Sequence, residues 1–532
     1  MVDWHLRAHS ELAPAAGPLV IVVMDGVGVG PNNAGNAVIS AHTPTLDGLR
    51  QSALYAELKA HGTAVGLPSD KDMGNSEVGH NAVGAGRVFD QGAKLVDMAL
   101  QSGSLFNGKV WKQSMSCNTL HFIGLLSDGN VHSHEKHLHA LLQQARREGV
   151  ERARVHILLD GRDVPESSAL TYVDRLEAVL AELGDYKIAS GGGRMLVTMD
   201  RYQADWEIVK RGWEAHVHGN ARRFGSTREA IETFRTEEPG IIDQYLPAFS
   251  VESGATMADG DAVIFFNYRG DRSIEISRAF EESDFHAFDR GRVPDVQYAG
   301  IMQYDGDLRL PKRYLVRPPA IDLTFGEYLV NNRVPQWACS ETQKFGHVTY
   351  FWNGNRSGMF DSNYEKYVEI QSDNLPFDQA PQMKAKEITD AAIQALQSGR
   401  WKLLRLNYAN GDMVGHTGNL NASITAMEVL DRELGRLARA VQKMGGILMV
   451  TADHGNCDEM YLQDKCGDFK TNQDGSLQAR TSHTLNPVPF YIQGAPQGVR
   501  LNASGRLSNV AATALNLLGY EAPDDYDPSL LS

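Results

Sequence analysis

Short apolar runs that stop abruptly at a charged or polar residue constrain the fold of this chain more than any other feature. The run Leu19–Met24 ends at Asp25, and comparable runs recur as far as Ile447–Val450. Continuous apolar runs of about four to eight residues are typical of buried parallel strands, and the amphipathic stretches between them are typical of crossover helices. The sequence therefore predicts an α/β protein built on mostly parallel sheets flanked by helices.

Six of these runs end in a carboxylate or in a polar cluster that contains one. The acidic residues at the six ends are Asp25, Asp128, the pair Asp160 and Asp163, Asp271, Asp412 and Asp453. A single acidic strand end is more often a turn former or a helix cap. Because ligands of open α/β sheets bind outside the carboxyl ends of the strands, six such ends together favour a polar active site supplied by several strands.

The chemistry of the strand ends divides the chain into two regions. Asp and His concentrate near the N-terminus and after residue 400, whereas strand ends that carry Arg concentrate between about 120 and 275. The segment Met302–Pro319 is rich in Pro and charge, which indicates a connector, and the Gly-rich segment Gly84–Gly92 is a candidate for the first crossing. We expect two domains, one of residues 1–91 and 316–532 and a second, residues 92–315, inserted into it.

Several Asp and His residues are candidate metal ligands. Asp412 and His416 are four residues apart, so on a helix or a tight turn their side chains face the same way and could hold one ion. Asp, His and one hydroxyl suit Mn²⁺, Zn²⁺ or Co²⁺, whereas oxygen ligands alone favour Ca²⁺ or Mg²⁺. Two such ions could clamp an in-line phosphoryl displacement. The remaining candidates are Asp25, Asp453, His454 and His483, although a lone His such as the last is more often structural.

Ser76 is the candidate nucleophile. It follows the turn signal Gly74-Asn75 and precedes residues that can begin a helix. Two interpretations are open: Ser76 is a helix N-cap, or its hydroxyl is a nucleophile held by a metal at the positive end of a helix, where a phosphate is also favoured. In the second interpretation Asn75 could donate to the phosphate.

The central region supplies cations at or just after strand ends. Arginine binds carboxylates and phosphates through two parallel hydrogen bonds, and Asp163 beside one of the arginines is a possible acid or base. His132 could donate to a phosphate, or the tract His132–His139 could bind metal, although its latter half is more typical of a solvated helix face. The arginines are Arg162, Arg194, Arg201, Arg269 and Arg272.

Composition and short motifs exclude several classes of protein. The formal net charge is −15, from 51 Lys and Arg against 66 Asp and Glu, which argues against a nucleic-acid binder. No apolar stretch approaches the length of a membrane span, and four scattered cysteines indicate neither a disulfide scaffold nor a zinc knuckle. The spacing Gly26-x-Gly28-x-Gly30 does not match the dinucleotide fingerprint, so we expect no NAD. We expect a cytoplasmic protein that does not interact with membranes.

Taken together, nine segments resemble the cofactor-independent phosphoglycerate mutases, a branch of the alkaline phosphatase superfamily. Each segment alone is weak, but nine in order are specific, and Gly191–Arg201 is similar to the plant and kinetoplastid form. The segments are Met24–Gly28, Met73–His80, Ser127–His134, Asp160–Pro165, Gly193–Arg201, Phe266–Arg272, Glu341–Thr349, Asn407–His416 and Thr451–Asn456.

This resemblance implies interconversion of 3-phosphoglycerate and 2-phosphoglycerate in glycolysis and gluconeogenesis, without 2,3-bisphosphoglycerate. It implies two divalent ions, Mn²⁺ first and Co²⁺ as the alternative. Ser76 would accept the phosphoryl group and return it to the other hydroxyl of a glycerate that does not leave. One ion would be held by Asp412, His416 and His483, and the other by Asp25, Ser76, Asp453 and His454.

The resemblance also implies a substrate site, with Asp163 as general acid or base, and a monomer whose phosphatase-like domain is split around a transferase domain. A related metal-dependent phosphatase or phosphopentomutase would share the metal ligands but not the arginines or Asp163. A non-catalytic metal-binding scaffold would tolerate loss of Ser76, which is present. The implied substrate residues are His132, Arg162, Asp163, Arg194, Arg201, Arg269, Arg272, Lys344 and Asn75.

Overall fold

The structure is a computed structural model that describes residues 4–201, 204–252, 256–305, 308–319, 321–464, 466–472 and 474–532. The chain forms two compact units: the first unit is Met1–Gln91 with Ala320–Ser532, and the second unit is Gly92–Pro319. Each unit contains one eight-stranded, mostly parallel sheet. The predicted α/β class with two mostly parallel sheets is therefore confirmed.

The described strands divide evenly between the two units. In chain order they are β1 Leu19–Met24, β2 Leu54–Lys59, β3 Leu120–Leu126, β4 Arg152–Leu159, β5 Asp185–Gly193, β6 Arg222–Phe224, β7 Phe249–Val251, β8 Ala262–Phe265, β9 Gln297–Met302, β10 Tyr314–Val316, β11 Gln336–Glu341, β12 Glu365–Ile370, β13 Leu403–Tyr408, β14 Ile447–Thr451, β15 Val488–Gln493 and β16 Ser504–Arg506.

The described helices fill the connections between strands. In chain order they are α1 Ala37–Ser40, α2 Pro44–Ser52, α3 Ser76–Ala85, α4 Gly92–Gln101, α5 Ser104–Asn107, α6 Lys109–Ser114, α7 Glu135–Arg147, α8 Ala169–Ala181, α9 Trp206–Trp213, α10 Thr227–Glu237, α11 Ile274–Glu281, α12 Phe325–Asn331, α13 Thr342–Gly346, α14 Ala385–Gln397, α15 Asn410–Gly415, α16 Leu420–Lys443 and α17 Asn509–Leu517.

The sheet of the first unit has the strand order β12-β11-β13-β1-β14-β15-β2-β16, in which only β15 opposes its neighbours. Every residue of β1 is buried, as its unbroken apolar sequence predicts for a central parallel strand. Helix α14 packs against β11 and β13, and α16 packs against β14. The carboxyl ends of β13, β1 and β14 are therefore neighbours at one edge of the sheet.

The sheet of the second unit has the order β10-β9-β8-β3-β4-β5-β7-β6, and β7 runs antiparallel to β5. Its core is a continuous apolar cluster that includes Phe122, Phe249 and Trp213. Helices α7 and α8 pack against β3, and α10 packs against β5. The carboxyl ends of β8, β3, β4 and β5 lie side by side, and they carry the strand-end arginines of this unit.

The segment Met302–Pro319 is more than the connector that its composition predicts. Tyr314–Val316 forms β10, which pairs in parallel with β9 at the edge of the second sheet. The unit accordingly ends at Pro319, four residues beyond residue 315. A three-residue edge strand is too short to show alternation, and proline and charge are tolerated at sheet edges, so the sequence pattern hides it.

Candidate functional site

The first unit gathers its candidate ligands at the edge formed by β1, β13 and β14. Asp25 directly follows β1, and Asp453 follows the end of β14 after one residue. Asp412 lies in α15, which begins two residues after β13. All three carboxylates are buried. Adjacent parallel strands thus bring together side chains that are more than 400 residues apart in sequence.

Asp412, His416 and His483 form one compact ligand group. The Nε2 atoms of His416 and His483 lie 2.9 and 3.1 Å from Oδ1 of Asp412, and the two Nε2 atoms are 3.0 Å apart. Nδ1 of His416 is 2.5 Å from the carbonyl oxygen of Thr481, and Nδ1 of His483 is 2.7 Å from that of Gly74. If each Nδ1–H donates to its carbonyl, both neutral rings present an Nε2 lone pair beside a carboxylate. Such a donor set fits a divalent cation.

Asp25, Asp412 and His454 form a second group, so Asp412 belongs to both. The hydroxyl of Ser76 lies in this group, with Oγ 3.2 Å from Oδ1 of Asp25 and 3.0 Å from Nε2 of His454. A hydroxyl, two carboxylates and an imidazole again fit a divalent ion with mixed oxygen and nitrogen ligands.

Lys344 places a buried ammonium among the same oxygens. Its Nζ is 2.7 Å from Oδ1 of Asp25, 2.6 Å from Oγ of Ser76 and 2.8 Å from Oδ2 of Asp412. Burial alone would raise the pKa of Asp412, but His416 and Lys344 hold it well below its usual range. The oxygens of this cluster are arranged for positive charge.

Asp453 is oriented mainly toward His80 and the backbone. Its Oδ2 is 3.3 Å from Nδ1 of His80 and 3.8 Å from Nε2 of His454, while its Oδ1 accepts from the amides of Gly26 and His454. Burial would lower the pKa of His454, but the negative charges of Asp453, Asp25 and Asp412 raise it to about 9. Asp453 is outside the two compact ligand groups identified among the described residues.

Ser76 is the first residue of α3, and Asn75 is its cap. Oδ1 of Asn75 accepts a hydrogen bond of 3.1 Å from the amide of Val78. The interpretation of Ser76 as the N-cap is therefore wrong, because the side chain one residue earlier performs that role. The Ser76 hydroxyl instead points into the carboxylate and histidine cluster.

The second unit gathers its strand-end residues into a buried arginine cluster. Nη1 of Arg194 is 2.8 Å from Oδ1 of Asp160 and also contacts Oδ2 of Asp163. Burial and the neighbouring carboxylate of Asp163 raise the pKa of Asp160. Arg162 is buried in the same strand-end turn, where its amide donates to Asp160.

The remaining members surround Asp271. Nε of Arg269 is 3.0 Å from Oδ1 of Asp271, Nη1 of Arg201 is 3.7 Å from Oδ2, and Nδ1 of His132 is 3.8 Å from Oδ1. Nη1 of Arg272 donates 2.5 Å to the carbonyl oxygen of Met199. The geometry thus brings together all seven second-unit residues that the sequence predicts for a substrate site.

Positive charge exceeds negative charge in this cluster. Five buried arginines face three buried carboxylates, those of Asp160, Asp163 and Asp271. Burial, and then Arg201 and Arg194, lower the pKa of Arg272 well below its ordinary value. Because buried charge is costly unless it is paired, the cluster is suited to an anion.

Two histidines of the tract His132–His139 make hydrogen bonds within the second unit that support its structure. Nδ1 of His134 accepts from the amide of Lys136 at the start of α7, and Nε2 of His137 is 2.8 Å from Oδ1 of Asp97. His137 is fully buried, so the expectation that the latter half of the tract is a solvated face is wrong for this residue. Its burial depends on how α7 packs against the protein, which the sequence spacing does not reveal.

The residues of these clusters to which the sequence assigned no specific role include His80, Asn407, Asp160 and Asp271, although the last two are among the acidic strand ends. His80 Nδ1 lies 2.8 Å from the carbonyl oxygen of Ser76, and Asn407 Nδ2 donates 2.7 Å to Oδ2 of Asp25. All four stand inside the nine segments. Their position beside a proposed ligand or arginine was a signal that could have identified them.

The fold and the buried ligand groups define a class of metal-dependent enzyme. A family model described as the metalloenzyme superfamily matches residues 17–522, so the chain belongs to that superfamily. Among the described residues, no helix is both long and apolar enough to cross a membrane.

Curated relatives and a solved structure narrow the class. A probable 2,3-bisphosphoglycerate-independent phosphoglycerate mutase of Leptospira interrogans is 54% identical, with 96% of this chain and 97% of the relative covered. The corresponding enzyme of Trypanosoma brucei brucei is 52% identical over 99% of both chains. A crystal structure of Leishmania mexicana phosphoglycerate mutase at low cobalt concentration is 51% identical, covers 99% of both chains and has a TM-score of 0.96. The chain belongs to the family of 2,3-bisphosphoglycerate-independent phosphoglycerate mutases, which confirms the resemblance.

Proposed function

We propose that the protein interconverts 3-phosphoglycerate and 2-phosphoglycerate, the step of glycolysis and gluconeogenesis that its family performs, through a phosphoserine on Ser76. One observation carries the mechanism. The Ser76 hydroxyl lies 3.0–3.2 Å from His454 and Asp25 and 2.6 Å from the Lys344 ammonium, in a buried cluster at the start of α3. Lys344 and the helix end both favour the alkoxide form of a serine and an approaching phosphate.

The first unit supplies the nucleophile and the metal site. Asp412, His416 and His483 would hold one divalent ion, and Asp25, Asp412 and His454, with Ser76 and Asp453, would hold the other. When bound, such ions neutralise charge on the serine oxygen and on the transferring phosphoryl oxygens. We infer Mn²⁺ as the working ion and Co²⁺ as an effective substitute, because both suit mixed carboxylate and imidazole ligands.

The second unit supplies the groups that bind the glycerate. The surplus positive charge of its arginine cluster matches a substrate with one carboxylate and one phosphate. Bidentate contacts from planar guanidinium groups would hold the glycerate by its carboxylate after the phosphoryl group has left. Retention at high effective concentration, together with exclusion of water, distinguishes a mutase from a phosphatase.

The chemical steps balance without 2,3-bisphosphoglycerate. The Ser76 alkoxide attacks phosphorus, the bond from phosphorus to O3 of 3-phosphoglycerate breaks, and the protonated carboxyl of Asp163 gives its proton to O3. The glycerate then reorients, Asp163 takes the proton from the O2 hydroxyl, and O2 attacks the phosphoserine. The bond from phosphorus to Ser76 Oγ breaks, so 2-phosphoglycerate leaves and the serine is restored.

The proposal is tested by incubating purified protein with 3-phosphoglycerate and Mn²⁺ or Co²⁺, with no 2,3-bisphosphoglycerate present. We expect 2-phosphoglycerate at equilibrium and little free phosphate. Release of phosphate without 2-phosphoglycerate would favour a metal-dependent phosphatase instead. We further infer a cytoplasmic monomer that acts on this small-molecule substrate, and sedimentation velocity at micromolar concentration would test the oligomeric state.

A further inference from the structure

Six buried polar side chains of the second unit form a continuous hydrogen-bonded chain that the mechanism above does not use. None of them is more than 2% exposed. Three come from adjacent strands β3, β4 and β5, and a fourth comes from a π-helical turn at Glu214–His218 that continues α9. In order, the members are Asp261, His121, His156, Ser190, His216 and Thr198.

Every link of this chain has hydrogen-bond geometry. From the carboxylate end, Asp261 Oδ2 is 3.2 Å from His121 Nε2, and His121 Nδ1 is 3.0 Å from His156 Nε2. Ser190 Oγ lies 2.7 Å from His156 Nδ1 and 2.7 Å from His216 Nδ1. At the other end, His216 Nε2 is 3.0 Å from Thr198 Oγ1.

The three imidazoles are held neutral. Burial lowers the pKa of His216 to about 3, and burial likewise lowers the pKa of His121 and that of His156. Burial would raise the pKa of Asp261, but hydrogen bonds from His121 and from backbone amides lower it overall. The chain therefore ends in a carboxylate that can only accept, and each neutral ring has one donor and one acceptor nitrogen.

These constraints fix a single direction for all the protons. Asp261 accepts from His121 Nε2–H, so His121 Nδ1 accepts from His156 Nε2–H. His156 Nδ1 then accepts from the hydroxyl of Ser190, whose oxygen accepts from His216 Nδ1–H. His216 Nε2 is left as an acceptor, so in the link to Thr198 the threonine hydroxyl is the donor.

Thr198 stands in a conformation that needs such an anchor. Its φ is +69°, which is unfavourable for a β-branched residue. Its amide donates 2.8 Å to the carbonyl oxygen of Ile208, and its hydroxyl approaches Gly212 so closely that a Cβ there would lie 2.0 Å away. The glycine and the π-turn thus let α9 close upon this side chain. π-Turns inside helices are frequent at functional sites.

The residues that follow Thr198 belong to the arginine cluster. The carbonyl oxygen of Met199 accepts the hydrogen bond of Arg272, and Arg201 extends from the same segment toward Asp271. The backbone conformation at Thr198 therefore sets the position of two cluster arginines.

We propose that this chain is a positioning device for the arginine cluster: the hydrogen bond from Thr198 to His216 holds Thr198–Arg201 in the conformation that aligns Arg201 and Arg272 with the anionic substrate. The members are positioning residues, since none of them contacts the reacting atoms. The part of the inference that concerns the substrate rests on the proposed function.

The direction of the chain is tested on the unsubstituted enzyme by ¹H–¹⁵N spectra of protein labelled in its histidine rings. We expect His216 as the Nδ1–H tautomer and both His121 and His156 as Nε2–H tautomers, with no titration of these rings between about pH 5 and 9. Signals are assigned by the loss of one resonance set in His216→Gln, His156→Gln and His121→Gln. A His216 ring with its proton on Nε2, or one that titrates in this range, would overturn the inference.

The positioning role is tested by Thr198→Val and Thr198→Ser. The valine keeps the shape but removes the donor, so we expect KM for 3-phosphoglycerate to rise about tenfold, the equivalent of about 1.4 kcal/mol, with kcat within about twofold. Serine keeps the donor and should restore KM to within about twofold of the parent value. Ser277→Ala, which removes another buried hydroxyl of the second unit, bonded 2.8 Å to Tyr298, is the matched control and should leave KM unchanged.

The two proposals fail in different ways. An unchanged KM in Thr198→Val, in an enzyme that turns over normally, would overturn the positioning role and leave the proposed function intact. An unsubstituted enzyme with no mutase activity would count against the proposed function, and the tautomers would still decide the direction of the chain.

Discussion

The two units use the same structural device for opposite electrostatic purposes. In each unit, neighbouring parallel strands end in charged residues, and the pairing of the strands places these residues close together in a buried cluster. The first unit gathers the carboxylates of Asp25, Asp412 and Asp453 with histidines, whereas the second gathers five arginines around three carboxylates. The first arrangement is suited to cations and the second to anions. The sign of the strand-end residues, rather than the topology, decides which charge of ligand each cluster is suited to.

The pKa shifts show the same contrast. Neighbouring cationic groups hold the pKa values of Asp412 and Asp453 below the ordinary range despite burial. Burial, and then the neighbouring Arg201 and Arg194, lower the pKa of Arg272 in the second unit. The carboxylates of the first cluster therefore stay ionised beside cationic groups, whereas Arg272 in the second cluster is crowded by like charge that an anionic ligand would offset.

The largest expected effect concerns the nucleophile of the first unit. Ser76→Ala should lower kcat by at least about 10⁴-fold, because the proposed mechanism transfers the phosphoryl group through the Ser76 oxygen. Turnover and the mass of a trapped phosphoenzyme measure it. Ser423→Ala, which removes a buried hydroxyl of α16 bonded to Asn419, should retain activity. Isomerisation by Ser76→Ala at the parent rate would contradict the phosphoserine mechanism.

Metal removal tests whether the first cluster needs cations. Chelation should reduce activity by at least about 10²-fold, because loss of the ions forfeits several kcal/mol of charge stabilisation. Readdition of Mn²⁺ or Co²⁺ should restore it. Elemental analysis and circular dichroism verify that metal has left and that the fold persists. Full activity in verified metal-free protein would show that the first cluster does not need cations, and the proposed contrast between a cation-binding and an anion-binding unit would be wrong.

A matched arginine substitution tests whether the second cluster needs bidentate contacts. Arg201→Lys keeps the charge but loses the planar pair of donors, so kcat/KM should fall about 30- to 100-fold, equivalent to about 2–3 kcal/mol. The exposed Arg222, paired with Glu237, provides the control Arg222→Lys. Steady-state kinetics with 3-phosphoglycerate distinguish the two. Equal effects of both substitutions would show that charge alone is sufficient.

The smallest expected effect concerns a buried carboxyl of the first unit that lies outside the metal groups. Burial raises the pKa of Glu341 to about 7, although Ser372 Oγ and the amide of Lys384 donate to it. Because the folded state raises this pKa, it favours the protonated carboxyl of Glu341. The contribution of that carboxyl to the free energy of unfolding is therefore complete below about pH 4.5 and is lost as the pH rises through 7. The free energy of unfolding of Glu341→Gln, relative to that of the parent protein, should therefore be about 1–2 kcal/mol higher at pH 8 than at pH 5.

Chemical denaturation of both proteins at pH 5 and pH 8 measures this difference. A parent and a variant with parallel pH dependence would show that Glu341 ionises normally. In that case the pKa of Glu341 would not differ in direction from that of Asp412, which lies beside the ammonium of Lys344.

Much of the fold and of the candidate site was predictable because it depends on local patterns. The unbroken run Leu19–Met24 identifies a buried strand, and the four-residue spacing of Asp412 and His416 places both side chains on one face of a helical turn. The strand β10 and the burial of His137 were not predictable in this way. The first is too short for a periodic signal, and the second depends on packing around α7.

The sequence by itself determined the α/β class, the family and the residue types that meet at the two clusters. Only the tertiary structure decided how those residues are shared and oriented. Asp412 joins both ligand groups, Lys344 lies among the carboxylates, and Asn75 rather than Ser76 caps α3. The chain from Asp261 to Thr198 likewise exists because β3, β4 and β5 are adjacent. Periodicity reports which residues face inward, whereas strand order and side-chain packing decide which of them become neighbours.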